Sequence, residues 1–205
     1  MRVECKLKQS TYKSLNSDKE INKYFSRTYV GSCMSLLREY RDSVDEPEYI
    51  EWLHFYLNKI GTEKLKFVKN IIMDKGYEED VAKYYVIFRT VSQTWNGLIS
   101  ETKVKKILED SFKIDVTYAN DETDKKYCVD LETDLFGIQV KPESYRVGNN
   151  PSLNRDKGIH LKSHKLYEQE TGKKVFFAYY NGDKVDESFK HQINIYLELK
   201  NNGKQ

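Results

Sequence analysis

The chain has 205 residues, with 34 Lys and Arg against 32 Asp and Glu, so its formal net charge is only +2. This length predicts one domain, or a small core with an appendage. Charged residues make up 32% and hydrophobic residues 39%, which is typical of a soluble globular protein. The near-balanced charge excludes a protein that binds nucleic acid through its overall charge alone.

The cysteines and the N-terminus indicate a cytoplasmic protein without a membrane anchor. Cys5, Cys33 and Cys128 are widely spaced and odd in number, so they suggest neither a zinc set nor a disulfide framework. The first ten residues lack the apolar run of a signal peptide. No stretch approaches the eighteen or so apolar residues that a membrane span requires.

The first part of the chain, residues 1–95, reads as mainly helical. Apolar side chains recur at helical spacing over 48–60, 62–75 and 78–94, and Gly61 and Gly76 punctuate these segments. Trp52 and Trp95 are predicted to be core residues. We interpret this region as a helical N-terminal domain that serves dimerisation or embraces DNA.

The second part, residues 96–205, has a different pattern and is predicted to form an α/β core. Helices are expected over 96–112, 156–171 and 187–199, and strands over 114–118, 127–132, 136–142 and 174–180. The segments 120–126 and 143–155 read as loops, and 181–183 as a turn. The predicted fold class is therefore α/β, with an αβββαβ core and a mixed sheet.

The two strands at 127–132 and 136–142 carry the most informative pattern. In the register that an apolar face imposes, Val129 lies opposite Val140 and Leu131 lies opposite Ile138. The other face then carries Asp130, Gln139 and Lys141. A carboxylate, an amide and an ammonium group together suit Mg²⁺-dependent attack on a phosphodiester. The alternative is an edge hairpin whose polar face is merely solvated.

Local charge supports a phosphate-binding interpretation. Six acids and two lysines lie within 121–134, whereas eight Lys or Arg and four acids lie within 137–174. An acidic pocket beside a basic strip is what a metal site against a phosphate backbone needs. A surface of mixed charge remains the competing interpretation.

The element order and the polar strand resemble the PD-(D/E)xK nuclease superfamily. In that comparison Asp130 is the acid of the second strand, and the third strand carries Gln139 and Lys141. The preceding helix would supply Glu101, which lies on or beside the buried stripe of Val104 and Leu108. Glu101 either approaches the metal or forms a structural salt bridge.

A closer resemblance, over about residues 84–146, is to the MjaI-type family of type II restriction endonucleases. It rests on the run WNGLISE at 95–101, on Asp130, and on the run IQVKPESY at 138–145. The resemblance implies Mg²⁺-dependent cleavage of double-stranded DNA at a short specific site. A palindromic site implies a homodimer, and a companion DNA methyltransferase is expected as a separate protein.

Carried over to this sequence, the resemblance implies that Asp130, Gln139 and Lys141 are catalytic, with Glu101 as a fourth member. The metal ligands are predicted to be Asp130, Gln139 and the main-chain carbonyl of Val140. Position 139 departs from the superfamily, which usually places Asp or Glu there. An amide oxygen can bind Mg²⁺ but brings no charge, so the change weakens metal affinity without forbidding activity.

Contacts to DNA are predicted in the basic segment after the third strand. The candidate residues are Arg146, Asn149, Asn150, Arg155, Lys157, His160, Lys162 and Lys165. His160 and His164 have the i, i+4 spacing of a metal clamp, but no third ligand accompanies them, so they are predicted to face DNA or solvent instead. A solvated basic helix face is the alternative for each cation.

Three other functions remain open at this point. The chain could be an inactive DNA-binding module on a nuclease fold, and Gln139 favours that interpretation. It could also be a structure-selective or RNA-directed nuclease. Finally, it could be an unrelated α/β protein in which the hairpin is coincidental.

Overall fold

The computed structural model describes residues 1–25, 29–31, 33–149, 151–182 and 184–202. The chain divides into two compact units, Met1–Ile99 and Ser100–Gln205. This boundary lies inside a helix, a few residues after the division predicted at 95. The separate roles assigned to the two parts stay predictions.

The first unit is built from helices and short helical turns. They are α1 (Gln9–Ser17), α2 (Lys19–Asn22), a 3₁₀ turn (Lys23–Phe25), α3 (Cys33–Asp42), α4 (Tyr49–Ile60), α5 (Thr62–Asp74), α6 (Glu79–Ile87), a π-helical turn (Phe88–Ser92) and the start of α7 (Gln93–Phe112). The helical character predicted for this part of the chain is confirmed.

Both tryptophans belong to the core, as predicted. Trp52 is fully buried and its indole N–H donates to the carbonyl of Val91 at 3.1 Å. Trp95 is 3% exposed and donates to the carbonyl of Met1 at 3.1 Å. Each ring therefore buries its apolar body while its single donor is satisfied, which is what makes a buried indole favourable.

The predicted break between helices at Trp95 is wrong. The π-helical turn Phe88–Ser92 joins α6 to α7 without an interruption of helical backbone. The carbonyl of Val91 within this turn accepts the Trp52 indole N–H, and the hydroxyl groups of Ser92 and Tyr49 are hydrogen-bonded at 2.8 Å. Side chains thus satisfy polar groups of the widened turn, as expected where a helix carries a π-bulge.

The second unit contains the sheet and the helices that cover it. Its elements after α7 are β1 (Thr117–Tyr118), α8 (Asp121–Tyr127), β2 (Leu131–Glu132), β3 (Phe136–Pro142), α9 (Glu143–Val147), α10 (Pro151–Thr171), β4 (Lys174–Asn181), β5 (Lys184–Val185) and α11 (Glu187–Asn202). The described strands lie in the order β1-β2-β3-β4-β5, with β3 and β4 parallel and the other neighbours antiparallel.

The central strand β3 is covered on both faces. On one face Ile138 and Val140 pack in a cluster with side chains of α7 and α11. On the other face a Cβ added at Gly137 would lie 3.1 Å from Cε1 of Tyr167, which belongs to α10. Since side chains alternate along a strand, Gln139 and Lys141 share the α10 face with Gly137. The helices on both sides explain why β3 is buried over most of its length.

The predicted fold class is confirmed: a five-stranded mixed sheet with many helices, preceded by a helical N-terminal region. In the portion of the chain that the structure describes, no helix is both long and apolar enough to cross a membrane. The differences concern local elements, and they fall next to the polar strand.

The segment 120–126 was predicted as a loop, but it forms helix α8. The Asn120 side chain caps the helix by accepting from the N–H of Thr123 at 2.8 Å. Acidic residues occupy the first turn and Lys125 and Lys126 the last, so the charges complement the helix dipole. The segment was predicted as a loop because nearly all of its residues are polar. Because α8 runs to Tyr127, the strand predicted from 127 begins only at Leu131.

The loop predicted over 143–155 is also wrong. It contains α9, and α10 begins at Pro151, which is a favoured first helical residue because it lacks an N–H to satisfy. Strand β1 is shorter than predicted, and β5 was not foreseen. In the turn predicted at 181–183, Gly182 has the positive φ of 56° that such a turn needs, whereas Asp183 lies outside the described residues.

Replacing Gly137 with alanine tests the packing against β3, and Gly97 in α7 provides a control where the added methyl group has space. A Cβ at Gly137 would lie 3.1 Å from both Tyr167 Cε1 and Val129 Cγ1, so Gly137→Ala is expected to destabilise the protein by about 1–3 kcal/mol. A Cβ at Gly97, inside α7, meets nothing within 4 Å, so Gly97→Ala is expected to stabilise it by about 1 kcal/mol. Chemical denaturation measures both changes in the free energy of unfolding. If both substitutions stabilised or both destabilised the protein, the close packing at Gly137 would be contradicted.

Candidate active site

The polar strand pair contains a β-bulge centred on Asp130. Leu131 is the registered partner of Ile138, as predicted from the apolar pattern. Yet the carbonyl of Ile138 also accepts the N–H of Asp130 at 2.8 Å. Two consecutive residues therefore oppose one residue of β3, which bends the chain and re-aims the side chains that precede β2.

The bulge corrects the predicted position of Val129. Val129 packs with Ala119 and Tyr167 on the α10 face, not with Val140 on the opposite face. Its methyl groups are the ones that approach Gly137. The extra residue shifts the alternation by one position, so a side chain expected on the α7 face turns to the other side of the sheet.

The Asp130 carboxylate binds the main chain of the neighbouring strand. Its Oδ2 accepts from the N–H of Val140 at 2.7 Å. A main-chain N–H points along the plane of the sheet, so the carboxylate occupies the position that a backbone carbonyl would fill in a regular ladder. Asp130 is thereby fixed next to the strand that carries Gln139 and Lys141.

Gln139 is the residue that fits a metal most directly. Its side chain is 1% exposed, and Oε1 is buried without a hydrogen-bond partner among the described residues. A buried carbonyl oxygen that lacks a donor costs about 1–3 kcal/mol, so it is rarely retained without a reason. Mg²⁺ prefers oxygen ligands and takes few from the protein. The residue types at Asp130 and Gln139 therefore suit that ion.

Lys141 lies on the same face as Gln139 and is partly exposed. In the described part of the chain its ammonium group makes no hydrogen bond or ion pair. Its charge reaches three neighbours. Burial lowers the pKa of His160 and His164, and Lys141 lowers both further. Burial raises the pKa of the Cys128 thiol, and Lys141 opposes that rise.

Glu101 is buried, with 8% of its surface exposed, at the expected position on α7. Its helix contributes Val104 and Leu108 to the cluster on the far side of β3 from Gln139 and Lys141. Its role beside the metal stays a prediction, as does the ligand role of the Val140 carbonyl, because Val140 meets Asp130 through its N–H.

Several predicted DNA contacts are engaged within the protein. The Arg146 guanidinium pairs with Glu143 at 2.7 Å and with Asp186 at 2.5 Å. The Lys157 ammonium donates to the carbonyls of Arg146 and Gly148, at 3.1 and 2.8 Å. These cations would have to exchange protein partners for phosphate. That cost makes them weaker candidates than the sequence indicated.

Apart from His160, the other predicted DNA contacts lie either in the segment before α10 or on the outer side of α10. Asn149 accepts from the amide of Asn154 at 2.9 Å, and Asn150 lies outside the described residues. Three exposed cations lie on the side of α10 turned away from the sheet, because helical spacing places them opposite the residues that face it. These cations are Arg155, Lys162 and Lys165. They can meet phosphate only from the outer side of α10.

The two histidines differ in exposure. The prediction that His164 faces DNA or solvent is wrong because its ring is buried, whereas His160 is partly exposed and its contact to DNA stays a prediction. His160 Nδ1 is hydrogen-bonded to the Tyr145 hydroxyl at 2.7 Å. His164 is 8% exposed, and its ring packs against Phe177 with centroids 4.9 Å apart. Across the residues that the structure describes, no three His, Cys, Asp or Glu side chains cluster as ligands.

His164 gives a prediction about acid stability. Burial, with a smaller contribution from His160 and Lys141, lowers its pKa to about 4. The folded protein therefore favours the neutral ring, and the unfolded chain binds a proton near pH 6.5. This stabilisation is present above pH 6.5 and disappears as the pH falls through 4. Wild type is expected to lose up to about 3 kcal/mol more than His164→Asn over that range.

Denaturation curves at pH 7 and pH 4 check that expectation. Both proteins keep the carboxylates that also titrate in this range, so the difference between them isolates position 164. Parallel loss of stability in wild type and His164→Asn would contradict a neutral, buried imidazole.

Sequence reasoning missed the turn at Cys128 that precedes Asp130, and the proximity of Cys128 to Ser163 of α10. Cys128 has the left-handed φ of 58° that ends α8. Burial raises the pKa of its thiol, and the nearby Ser163 hydroxyl opposes that rise. The stripe of His160, His164 and Tyr167 at helical spacing was the only available signal, and it identifies an inward face without revealing what that face contacts.

Comparison with known proteins adds one finding. A family model described as MjaI restriction endonuclease matches residues 13–200, nearly the whole chain. No curated protein and no solved structure matches significantly. The family match spans the helical first unit as well as the segment with Asp130, Gln139 and Lys141.

Proposed function

The chain belongs to the MjaI restriction endonuclease family and is thus a DNA endonuclease, and we propose that it is a Mg²⁺-dependent type II enzyme that cuts a short, palindromic site. The metal dependence is supported by the buried, unpartnered Oε1 of Gln139 and by the Asp130 carboxylate, which accepts the main-chain N–H of Val140, the residue that follows Gln139. An oxygen site of this kind is completed by a cation.

In this proposal the divalent ion is held by Asp130 and Gln139, with the Val140 carbonyl as a third ligand. When bound, Mg²⁺ supplies charge stabilisation at the scissile phosphate and lowers the pKa of a coordinated water. Mg²⁺ fills its remaining positions with water and phosphate oxygens. The amide at position 139 lowers the affinity that a carboxylate would give, but it retains the oxygen.

Lys141 supplies the fixed positive charge of the site. Its ammonium group orients the attacking water and stabilises the charge that builds on the phosphate in the transition state. Its ammonium group is available to the DNA phosphate because it forms no ion pair with a protein carboxylate in the described part of the chain. The expected products carry 5′-phosphate and 3′-hydroxyl ends.

A homodimer follows from the proposed target, because a two-fold symmetric site is matched by two-fold related subunits that each cut one strand. The helical region 1–95 and α11 are the candidate interfaces. Protection of the host genome would require a companion methyltransferase with the same specificity. Sedimentation of the protein alone and on DNA tests the dimer, and a monomer in both cases would remove it.

The metal dependence gives a direct test. Digestion of unmethylated phage DNA in Mg²⁺ is expected to give discrete fragments, and in Ca²⁺ no cleavage but retained DNA binding. Ca²⁺ takes more ligands at longer distances and holds them less rigidly, so it can bridge protein and phosphate without positioning the water. Brisk hydrolysis in Ca²⁺ would contradict the proposed chemistry.

The same assay, run also on branched DNA and on RNA, separates the competing functions. Binding without any cleavage in Mg²⁺ would favour the inactive DNA-binding module, for which the uncharged Gln139 is the specific observation. Cleavage confined to branched DNA or to RNA would favour a structure-selective or RNA-directed nuclease.

A further inference from the structure

A row of aromatic side chains runs beside the polar strand, on the face that α10 covers. Phe177 and Tyr179 of β4 are the registered neighbours of Gln139 and Lys141 on β3. Registered residues of adjacent strands point to the same face of a sheet. The rings of Phe177 and Tyr179 are nearly parallel, with centroids 5.5 Å apart. The row therefore lies next to the two side chains to which the proposed function assigns metal binding and catalysis.

Tyr145 and His160 extend this row beyond β4. The centroid of the Tyr145 ring lies 6.1 Å from that of Phe177 and 5.6 Å from that of His160. The Tyr145 hydroxyl is hydrogen-bonded to His160 Nδ1 at 2.7 Å. Burial lowers the pKa of His160, and the charge of Lys141 lowers it further, which agrees with a ring close to that lysine. The His160 ring is thus fixed beside the site by a stack and by one of its two nitrogens.

The direction of the hydrogen bond between Tyr145 and His160 follows from the needs of the phenol. Tyr145 is 9% exposed, and burial raises the pKa of its phenol to about 12, so the hydroxyl keeps its proton. Within the described residues, His160 Nδ1 is the one acceptor that this hydroxyl meets. Buried polar groups are rarely left unpaired, so Tyr145 donates to Nδ1. A neutral ring that accepts at Nδ1 carries its proton on Nε2.

The proton-bearing nitrogen of His160 is the one that a ligand can reach. His160 is partly exposed, and its Nε2 makes no hydrogen bond to the part of the chain that the structure describes. Unlike Nε2 of His164, it is not a buried atom without a partner. Side-chain N–H groups at the edge of a DNA site mostly bind phosphate oxygens. The Nε2–H group of His160 therefore suits a phosphate close to Lys141.

We propose that His160 binds a phosphate oxygen of the DNA through Nε2–H, and that Tyr145 is the positioning residue that fixes the ring and its tautomer for this contact. The inference rests on the proposed function and names a DNA contact of the same site. The ring acts in its neutral form. It adds a directed hydrogen bond without neutralising a phosphate, so it releases no counterion from the DNA.

Removal of the donor tests the contact. His160→Ala is expected to weaken binding of a duplex in Ca²⁺, at about pH 8, by about tenfold or more. The factor should be the same for the cleaved sequence and for an unrelated one, because phosphate contacts carry no sequence information. The slope of log Kd against log salt concentration should not change. Wild-type affinity, a loss confined to the cleaved sequence, or a slope reduced by about one would each overturn the inference.

Tyr145→Phe tests whether the hydroxyl acts through His160. Alone, this change keeps the ring and removes one hydrogen bond, and it is expected to weaken duplex binding in Ca²⁺ by about fivefold. Gln at position 160 places an amide N–H near the position of Nε2 and does not need the hydroxyl. Tyr145→Phe combined with His160→Gln should therefore bind like His160→Gln alone. An equal loss from Tyr145→Phe on both backgrounds would show that Tyr145 does not act through His160.

Tyr167→Phe is the matched control for loss of stability alone. Tyr167 is buried on α10, and its hydroxyl donates to Glu132 at 2.8 Å, away from the His160 ring. This variant is expected to unfold more easily while it binds the duplex like wild type. Thermal unfolding of all variants accompanies the binding curves. Affinity that simply follows stability across the set, Tyr167→Phe included, would contradict a specific contact.

The ¹⁵N chemical shifts of the His160 ring in the wild-type protein give a readout that needs no variant. They are expected to report a proton on Nε2 and none on Nδ1, and the opposite tautomer would overturn the inference. Wild type that cuts DNA, with His160→Ala binding as tightly, would end this inference and leave the proposed function in place. Wild-type protein that neither binds nor cuts DNA would end both.

Discussion

Replacing Lys141 with alanine is expected to lower the rate of DNA cleavage by on the order of 10²–10³-fold or more, while DNA binding in Ca²⁺ largely survives. Lys141 is partly exposed, lies on the face of β3 that carries Gln139, and is not neutralised by an ion pair in the described chain. Its charge is therefore available to the phosphate in the transition state. Single-turnover cleavage of a defined duplex, together with binding in Ca²⁺, measures both quantities.

Lys174→Ala is the matched control, because Lys174 is an exposed lysine on the adjacent strand β4 with no proposed role. It removes the same charge from the same sheet and is expected to cut at the wild-type rate. Lys141→Arg retains the charge but changes its geometry, and an intermediate rate is expected. A Lys141→Ala enzyme that cuts as fast as wild type would refute the catalytic role.

Gln139→Leu is expected to abolish cleavage and, in metal-free protein, to leave the free energy of unfolding unchanged or raise it by about 1–2 kcal/mol. The physical reason is that leucine removes a buried oxygen without a donor and fills a similar volume. In wild type, Mg²⁺ at a hundredfold excess over its Kd should stabilise the fold by about 2.7 kcal/mol. The variant should lose that response.

Gln139→Glu provides the opposite change at the same position. It restores the carboxylate that the superfamily usually has, so Mg²⁺ affinity should increase. Metal-free protein should be destabilised, because a buried charge would have no partner. Unfolding curves with and without Mg²⁺ measure all three proteins. A metal-free Gln139→Leu protein that is much less stable than wild type, with no Mg²⁺ response in wild type, would show that Gln139 is an ordinary core residue.

The sequence allowed the central strand and its register to be predicted, because one apolar face leaves only one pairing of Leu131 with Ile138. It did not allow the bulge to be predicted. A bulge changes which face Val129 occupies without altering composition, and Val129 packs there against Tyr167 of α10, more than thirty residues later in the chain. Local periodicity carries no information about such distant partners.

The misjudged elements have different causes. Helix α8 is capped by Asn120 and supported by complementary charges, and these signals were outweighed by its polar composition. The π-helical turn depends on Trp52 and Tyr49 contacting Val91 and Ser92. Arg146 and Lys157 have intramolecular partners that cannot be seen in a linear pattern, and their contacts to DNA stay predictions. For the π-helical turn and the two cations tertiary contacts decided the outcome, whereas the signals that form α8 are local.

The β-bulge at Asp130 also restricts insertions and deletions in this part of the sequence. Deleting one residue between α8 and β2 would restore regular pairing between β2 and β3. The Asp130 carboxylate would then no longer lie beside the N–H of Val140. The chain would gain a regular strand and lose the proposed cation site. Spacing at this point should therefore tolerate no insertion or deletion, whereas Val129 could be exchanged for another branched apolar side chain of similar size.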